Sequence, residues 1–132
     1  MTRINVVPVE ELSDQHLIAE YHELPRCFKQ NINAAFAPET YCLGTNHMKW
    51  AKRHWVYCFL RFQELVREMQ YRGFKTSYNV LPTGEIDTNT FGYYIPTPVD
   101  VKLNIDRLVE KYKMKPNFYR WTKREKPKYM EE

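Results

Sequence analysis

The sequence predicts an all-α protein: a compact three-helix single domain with long loops and an extended N-terminal arm. Apolar side chains recur with helical spacing in three separate segments, and each segment is bounded by residues that start or stop helices. No run of residues shows the strict alternation of a convincing strand. The 132 residues are enough for one domain, spanning residues 1–132, around a single hydrophobic core.

The first predicted helix follows an arm formed by residues 1–12. Ser13 is suited to be the N-cap, and the helix is expected to run from about Asp14 to Ala35. Its apolar stripe has the spacing i, i+4, i+7, i+11 and consists of Leu17, Tyr21, Leu24 and Phe28. Pro25 lies inside the helix and predicts a kink, because proline removes a backbone donor and crowds the preceding turn.

The second predicted helix is long. It begins at Thr45 or Asn46, ends near Tyr71, and has Gly73 as its stop signal. Its apolar stripe consists of Met48, Ala51, Trp55, Phe59, Phe62, Val66 and Met69. This spacing is typical of a helix that buries one side along its whole length.

The third predicted helix has a strong start signal. Thr97 is placed as N-cap, Pro98 occupies the first helical position, and Asp100 completes a pattern that resembles a capping box. Its apolar stripe consists of Val101, Ile105, Leu108 and Tyr112, and Pro116 ends the helix. An aromatic and basic tail follows.

The charge distribution is compatible with a polyanionic partner. The net charge is +4, which alone is weak support. The stretch from Lys111 to Lys128 is more informative, because it contains eight Lys or Arg residues and a single Glu. An ordinary solvated face is the alternative explanation for these charges.

Cysteine and histidine usage argues against a disulfide framework or a metal centre. Cys27, Cys42 and Cys58 are odd in number and lack metal-ligand spacing, which favours reduced thiols in the cytoplasm. His47, His54 and Cys58 would span about 16 Å along one helix, which is too far for one ion. No segment has the length and apolarity of a membrane span or the pattern of a signal peptide.

The start of the chain predicts an amine nucleophile. Thr2 is small enough for Met1 to be removed in the cell, which would leave a free α-amine on Thr2. Such an amine has a reference pKa of about 7.7–8.0, so roughly a tenth of it is neutral at pH 7, far more than for a lysine. It can attack a sugar carbon or an aldehyde and form a Schiff base, and a carboxylate such as Glu23 can move the protons.

The first helix carries titratable side chains along about two turns. His16, Glu20 and Glu23 have the spacing i, i+4, i+7, which predicts that they share one face. His22 and Arg26 fall on an adjacent face. The simpler explanation is an ordinary charged surface helix with a Glu23–Arg26 ion pair, and the residue pattern alone favours it.

Several short motifs follow one another along the chain. The N-terminal ones are Thr2-Arg3-Ile4-Asn5, the run from Asp14 to Tyr21, and Glu23-Leu24-Pro25-Arg26. The later ones are Leu43-Gly44-Thr45-Asn46-His47, Arg72-Gly73-Phe74, a helix with Arg107 and Lys111, and the tail Phe118-Tyr119-Arg120-Trp121. In this order they resemble the pyrimidine-dimer DNA glycosylases, the endonuclease V type of large bacteriophages. The N-terminal motifs are specific, and the middle of the chain matches more loosely.

The resemblance implies a base-excision repair enzyme, a DNA glycosylase with abasic-site lyase activity that acts on ultraviolet-induced cyclobutane pyrimidine dimers. In the family's pattern Thr2 supplies the α-amine and Glu23 is the catalytic acid. The residues that match DNA-binding positions are Arg3, Gln15, His16, His22, Arg26, Arg107 and Lys111. The resemblance also implies no cofactor and no metal, damaged double-stranded DNA as partner, no membrane, a monomer, and the cytoplasm of an infected bacterium if a phage encodes the protein.

Departures from the family's pattern leave the lesion open. His22 stands where the family usually has arginine, and a histidine is only fractionally charged at pH 7, which predicts a weaker, pH-dependent phosphate contact. The residues after His47 and the aromatic tail also differ, and the loop between the first two helices is shorter. The alternatives are the same imine chemistry on another lesion or on abasic sites only, or a DNA-binding relative without catalysis.

Overall fold

The computed structural model describes residues 4–29, 37–81 and 92–131, and their regular structure is helical. The four α-helices are α1 (Asp14–Lys29), α2 (His47–Arg53), α3 (Trp55–Arg72) and α4 (Pro98–Met114). Two short 3-10 helices, Val9–Glu11 and Lys128–Met130, lie near the two ends of the described chain. The all-α prediction is confirmed. Over these same residues, no helix combines the length and apolarity needed to cross a membrane.

The start of α1 and its buried stripe agree with the sequence. The Ser13 hydroxyl accepts the backbone N–H of His16 at 3.1 Å, which confirms the predicted N-cap. All four side chains of the predicted stripe, Leu17, Tyr21, Leu24 and Phe28, are buried. The last predicted turns of this helix, residues 30–35, lie outside the described residues, and the kink at Pro25 stays a prediction.

The prediction of a single long second helix is wrong, because the chain leaves helical geometry at His54, between α2 and α3. His54 has φ −100° and ψ 53°. The backbone N–H groups of Val56 and Tyr57 donate to the carbonyl of Gly92, at 3.0 and 3.1 Å, rather than to the preceding turn. A Cβ atom at residue 92 would lie 2.8 Å from the indole of Trp55, so a glycine is needed for this close approach.

The predicted helix end at Gly73 and the predicted helix start at Thr97 are confirmed in α3 and α4. Gly73 has φ +91°, and the Phe74 N–H donates to the Met69 carbonyl at 2.9 Å, as in a glycine-terminated helix. At α4, the Thr97 hydroxyl accepts the Asp100 N–H at 3.2 Å, and the Asp100 carboxylate accepts the Thr97 N–H at 2.9 Å. The predicted capping box is therefore present.

Helices α1 and α3 pack antiparallel and are joined by two ion pairs. At the start of α1, Asp14 lies 2.9 Å from Arg72, the last residue of α3. Further along α1, Glu20 lies 2.8 Å from Arg61, which precedes Arg72 by eleven residues on α3. Both arginines are buried, so the pairs fix the register of the two helices.

The C-terminal tail returns to the start of α1. The Arg120 carbonyl accepts the Asp14 N–H at 2.7 Å, and the indole N–H of Trp121 donates to the Glu11 carbonyl at 2.9 Å. Trp121 packs against the hydrophobic core, whereas Phe118 is 53% exposed. The tail is therefore partly structural, and its aromatic residues do not all share one role.

Candidate functional site

The N-terminal arm runs beside α1 in the opposite direction. The carbonyl of Val9 accepts a hydrogen bond at 3.3 Å from Arg72, the arginine that also meets Asp14 at the start of α1. Four residues earlier in the chain, the side-chain amide of Asn5 donates to Glu20 at 2.8 Å. The arm and α1 are therefore antiparallel, and the N-terminal end of the described arm points toward the last turns of this helix.

A buried ion pair lies beneath the arm. Arg61 donates to both carboxylate oxygens of Glu20, at 2.8 and 3.1 Å, and to the carbonyl of Val7 at 2.5 Å. Burial alone would lower the pKa of Arg61, but the Glu20 carboxylate raises it, so the guanidinium stays charged. Of the three residues that the spacing places on one face of α1, Glu20 is fully buried, whereas His16 and Glu23 are partly exposed.

Helix α4 holds the arm through one buried asparagine. The side-chain oxygen of Asn104 accepts the backbone N–H groups of Val6 and Val7, at 2.7 and 3.1 Å. Its side-chain amide donates to Asn5 at 2.7 Å. These bonds satisfy backbone donors that a segment without regular secondary structure would otherwise bury unpaired. The arm is thus fixed by side chains from α1, α3 and α4.

The second half of α1 presents the predicted catalytic carboxylate. The side chain of Glu23 is 20% exposed and lies 3.7 Å from Arg26, whose side chain is 71% exposed. Such a long, open ion pair is weak, so the guanidinium can exchange this partner for a phosphate. Burial, together with the charge of Glu23, raises the pKa of the neighbouring Cys27 thiol to about 12, so Cys27 remains protonated. His22 is exposed, with its ring edge against Tyr21.

The first turn of α1 meets the aromatic tail. The ring of His16 stacks on Tyr119 with their centroids 4.6 Å apart. Burial and then the charge of Lys111 lower the pKa of His16 to about 4, so this imidazole is neutral at pH 7. The side-chain oxygen of Gln15 accepts the N–H of Arg120 at 3.0 Å. His16 is thus suited to contact a ligand as a neutral group rather than as a cation.

The predicted site residues form two groups, one at the first turn of α1 together with α4 and one on the second half of α1. Lys111 lies close enough to His16 for its charge to act on the imidazole, and Arg107, one turn earlier on α4, pairs with Glu110 at 3.2 Å. Glu23 and Arg26 form the other group. His16 and Glu23 are seven residues apart, which puts them on the same side of the helix, about 10 Å from each other. Thr2 and Arg3 lie outside the described residues.

The histidine and cysteine stripe that resembles a metal site has structural contacts instead. Nε2 of His54 lies 2.9 Å from the Glu39 carbonyl, and the buried Cys58 thiol donates to the Ala51 carbonyl at 3.6 Å. Across the part of the chain that the structure describes, no group of three or more metal-ligating side chains comes together.

Comparison with known protein families agrees with the N-terminal motifs. Residues 1–81 match the sequence model of the family described as pyrimidine dimer DNA glycosylase. The chain belongs to this family. The match includes the arm and α1 to α3, with Thr2 and Glu23, whereas α4 and the tail follow it. Membership in the pyrimidine dimer DNA glycosylases supports an enzyme that acts on DNA containing pyrimidine dimers.

Sequence reasoning missed the buried polar network that holds the arm in this glycosylase. One signal was available: Glu20 lies three residues after Leu17 and four before Leu24, so it falls on the buried stripe of α1. A carboxylate on such a stripe requires a buried partner. Which side chain provides it, here Arg61, depends on how α3 packs and was not readable from the local sequence.

The low pKa of His16 predicts an acid-dependent loss of stability. Its folded-state pKa of about 4 lies below the usual histidine pKa of 6.5, so the unfolded chain binds more protons between these two pH values. The contribution of neutral His16 to the free energy of unfolding is complete above about pH 6.5 and is lost as the pH falls toward 4. Between pH 7 and 4.5, the free energy of unfolding should therefore fall by about 2–3 kcal/mol more in the wild type than in His16→Gln. Urea unfolding at both pH values measures this, and equal losses would contradict it.

His22→Arg should strengthen DNA binding. The substitution adds a permanent charge at an exposed position beside Glu23. If the new guanidinium neutralises one phosphate, the slope of log K against log salt should become steeper by about 1. Fluorescence anisotropy on one duplex at several salt concentrations gives the slope. Gln70→Arg, an equal charge change at another exposed site, is the control and should alter the slope less.

Proposed function

We propose that this protein is a DNA glycosylase with associated abasic-site lyase activity, which excises cyclobutane pyrimidine dimers through an imine formed by the α-amine of Thr2. Removal of Met1 is part of the proposal, because the amine must be free. The observation that supports it best is the course of the arm, which runs antiparallel to α1 and points toward Glu23.

The length of the chain allows the α-amine of Thr2 to come close to the carboxylate of Glu23. Asn5 is bonded to Glu20 at 2.8 Å. Glu23 follows Glu20 by one turn, a rise of about 4.5 Å along the helix. Thr2 precedes Asn5 by three residues, which span at most about 11 Å when extended. The α-amine therefore has the reach to share a substrate with the Glu23 carboxylate.

The first chemical stage removes the base. The neutral amine attacks C1′, the C1′–N glycosidic bond breaks, and the base takes that bond's electron pair and a proton, while the cyclobutane ring still joins it to the neighbouring pyrimidine. The C1′–O4′ bond then breaks, O4′ gains a proton, and the nitrogen of Thr2 becomes a protonated imine. Glu23 stabilises the positive charge that develops on the sugar and carries protons between these atoms.

The second stage breaks the strand. The imine withdraws electrons and makes the C2′ proton acidic, so Glu23 can remove it. The electron pair forms a C2′–C3′ double bond while the C3′–O bond breaks, and the 3′ phosphate leaves with that bond's electrons. Water then hydrolyses the imine, which releases an unsaturated aldehyde and restores the amine.

The surface around Glu23 fits a DNA backbone and a distorted duplex. Arg26 is exposed and weakly paired, and Lys111 on α4 lies near the other end of the same α1 face. Enzymes that act at C1′ must unstack or flip a nucleotide, and His16 with Tyr119 offers a stacked aromatic surface beside these cations. We further propose that residues 1–132 act as one domain and as a monomer in the cytoplasm of the host.

The test uses three duplexes: one with a single cyclobutane dimer, one with an abasic site, and one undamaged. Direct cleavage of the first two, with unsaturated aldehyde ends, is the expected result. Cleavage of the dimer duplex only after hot alkali would reveal a glycosylase without lyase activity. Cleavage of the abasic duplex alone would keep the imine chemistry and replace the lesion. Binding without cleavage of either damaged duplex would contradict the proposal.

A further inference from the structure

The backbone of Ile4 is held from both sides by buried side chains. Its N–H donates to Nε2 of His47 at 2.9 Å, and its carbonyl accepts the hydroxyl of Tyr41 at 2.8 Å. All three residues are buried. The N–H and the carbonyl belong to the two peptide units on either side of the Ile4 Cα atom, and each is bonded, so these two side chains fix the direction of the arm at this residue.

The second ring nitrogen of His47 sets its tautomer. Nδ1 lies 2.7 Å from the carbonyl of Cys42, which can only accept, so Nδ1 carries the proton. Nε2 is therefore left with a lone pair, which is what the N–H of Ile4 requires. The neutral ring thus links the segment before α2 to the arm, and a side chain without an acceptor here would leave the Ile4 N–H buried and unpaired.

The next residue of the arm is held as firmly. The side chain of Asn5 bonds to Glu20 at 2.8 Å and to Asn104 at 2.7 Å. Two consecutive arm residues that follow the proposed nucleophile in the chain are therefore fixed. Thr2 precedes Ile4 by two residues, so its nitrogen can lie at most about 7 Å from the anchored peptide.

We propose that His47 and Tyr41 are positioning residues that hold the Thr2 amine within attacking distance of C1′. The inference rests on the proposed function, in which Thr2 is the nucleophile. Holding a nucleophile near its target replaces an entropic search with an almost intramolecular reaction, and a displacement of about 1 Å can cost 10²-fold in rate. His47 and Tyr41 touch neither DNA nor the reacting atoms in this scheme, because they act through the Ile4 backbone.

The test separates positioning from folding. His47→Leu removes the acceptor, His47→Gln restores an oxygen acceptor near the position of Nε2, and Tyr41→Phe removes only a hydroxyl. Tyr129→Phe is the matched control, since its hydroxyl donates to Glu11 at 2.9 Å near the other end of the arm. For each variant, borohydride trapping on an abasic duplex gives the rate at saturating protein. Affinity for a duplex with a tetrahydrofuran analogue gives DNA binding, and circular dichroism gives the folded fraction.

The expected result is a split between rate and affinity. Per folded molecule, His47→Leu and Tyr41→Phe should trap at least about tenfold more slowly than wild type, with affinity changed by less than about threefold. His47→Gln should recover most of the rate, and Tyr129→Phe should match wild type. Unchanged trapping by folded His47→Leu and Tyr41→Phe would overturn the inference. Absence of any adduct with wild type would instead overturn the proposed function, and this inference with it.

Discussion

Glu23→Gln is expected to lower the rate of base excision by about 10³-fold at saturating enzyme, because general acid–base catalysis typically contributes 10²–10⁴-fold. The amide has nearly the same shape as the carboxylate but can neither carry a proton nor stabilise positive charge on the sugar. The ion pair with Arg26 is 3.7 Å long and the Arg26 side chain is 71% exposed, so little stability should be lost. Single-turnover excision from a duplex with one cyclobutane dimer gives the rate, and anisotropy on the same duplex gives the affinity.

Glu64→Gln provides the matched control for this substitution. Glu64 is an exposed glutamate on α3, so the change in charge and shape is the same, at a position away from the proposed chemistry. It should excise at the wild-type rate. A Glu23→Gln protein that binds the damaged duplex and excises as fast as this control would remove Glu23 from the mechanism.

Glu20→Gln is expected to destabilise the fold by about 3–5 kcal/mol, because it leaves the buried Arg61 charge without its counter-charge. Both side chains are almost fully removed from solvent. Glu39→Gln offers the comparison, since its pair with Arg53 is 3.1 Å long but Glu39 is 82% exposed. That substitution should cost less than about 1 kcal/mol.

Urea unfolding of the four proteins of a Glu20→Gln and Arg61→Gln cycle measures the coupling directly. If the pair acts as one unit, the double variant should be less destabilised than the sum of the two single variants. A loss below 1 kcal/mol for Glu20→Gln alone would contradict the view that this pair holds the arm against α1 and α3.

The helix boundaries could be predicted because their causes are local. The Ser13 cap, the left-handed Gly73 and the Thr97–Asp100 capping box each depend on residues within four positions of one another. The break at His54 could not be predicted, because apolar spacing continues across it. Its cause is the carbonyl of Gly92, which lies more than thirty residues away in the chain and reaches the start of α3 only in the folded protein.

The candidate site divides in the same way. The neighbourhood of Glu23 and Arg26 follows from their spacing on one helix. The contacts that hold the arm do not, because Asn5 meets Asn104 and Ile4 meets His47 across 99 and 43 residues of chain. Motif resemblance marked Asn5 and His47 as part of a pattern, but only the packing of the helices reveals that their polar atoms serve the backbone and side chains of the arm.

The measurement that tests the central claim most directly is the location of the covalent bond. Borohydride reduces an imine to a stable amine, so the protein should become permanently joined to a duplex with one cyclobutane dimer. Proteolysis and mass spectrometry of the adduct should then place the DNA fragment on the α-amine of Thr2, with Met1 absent. An adduct on a lysine side chain, or full activity in a protein that retains Met1, would contradict the account.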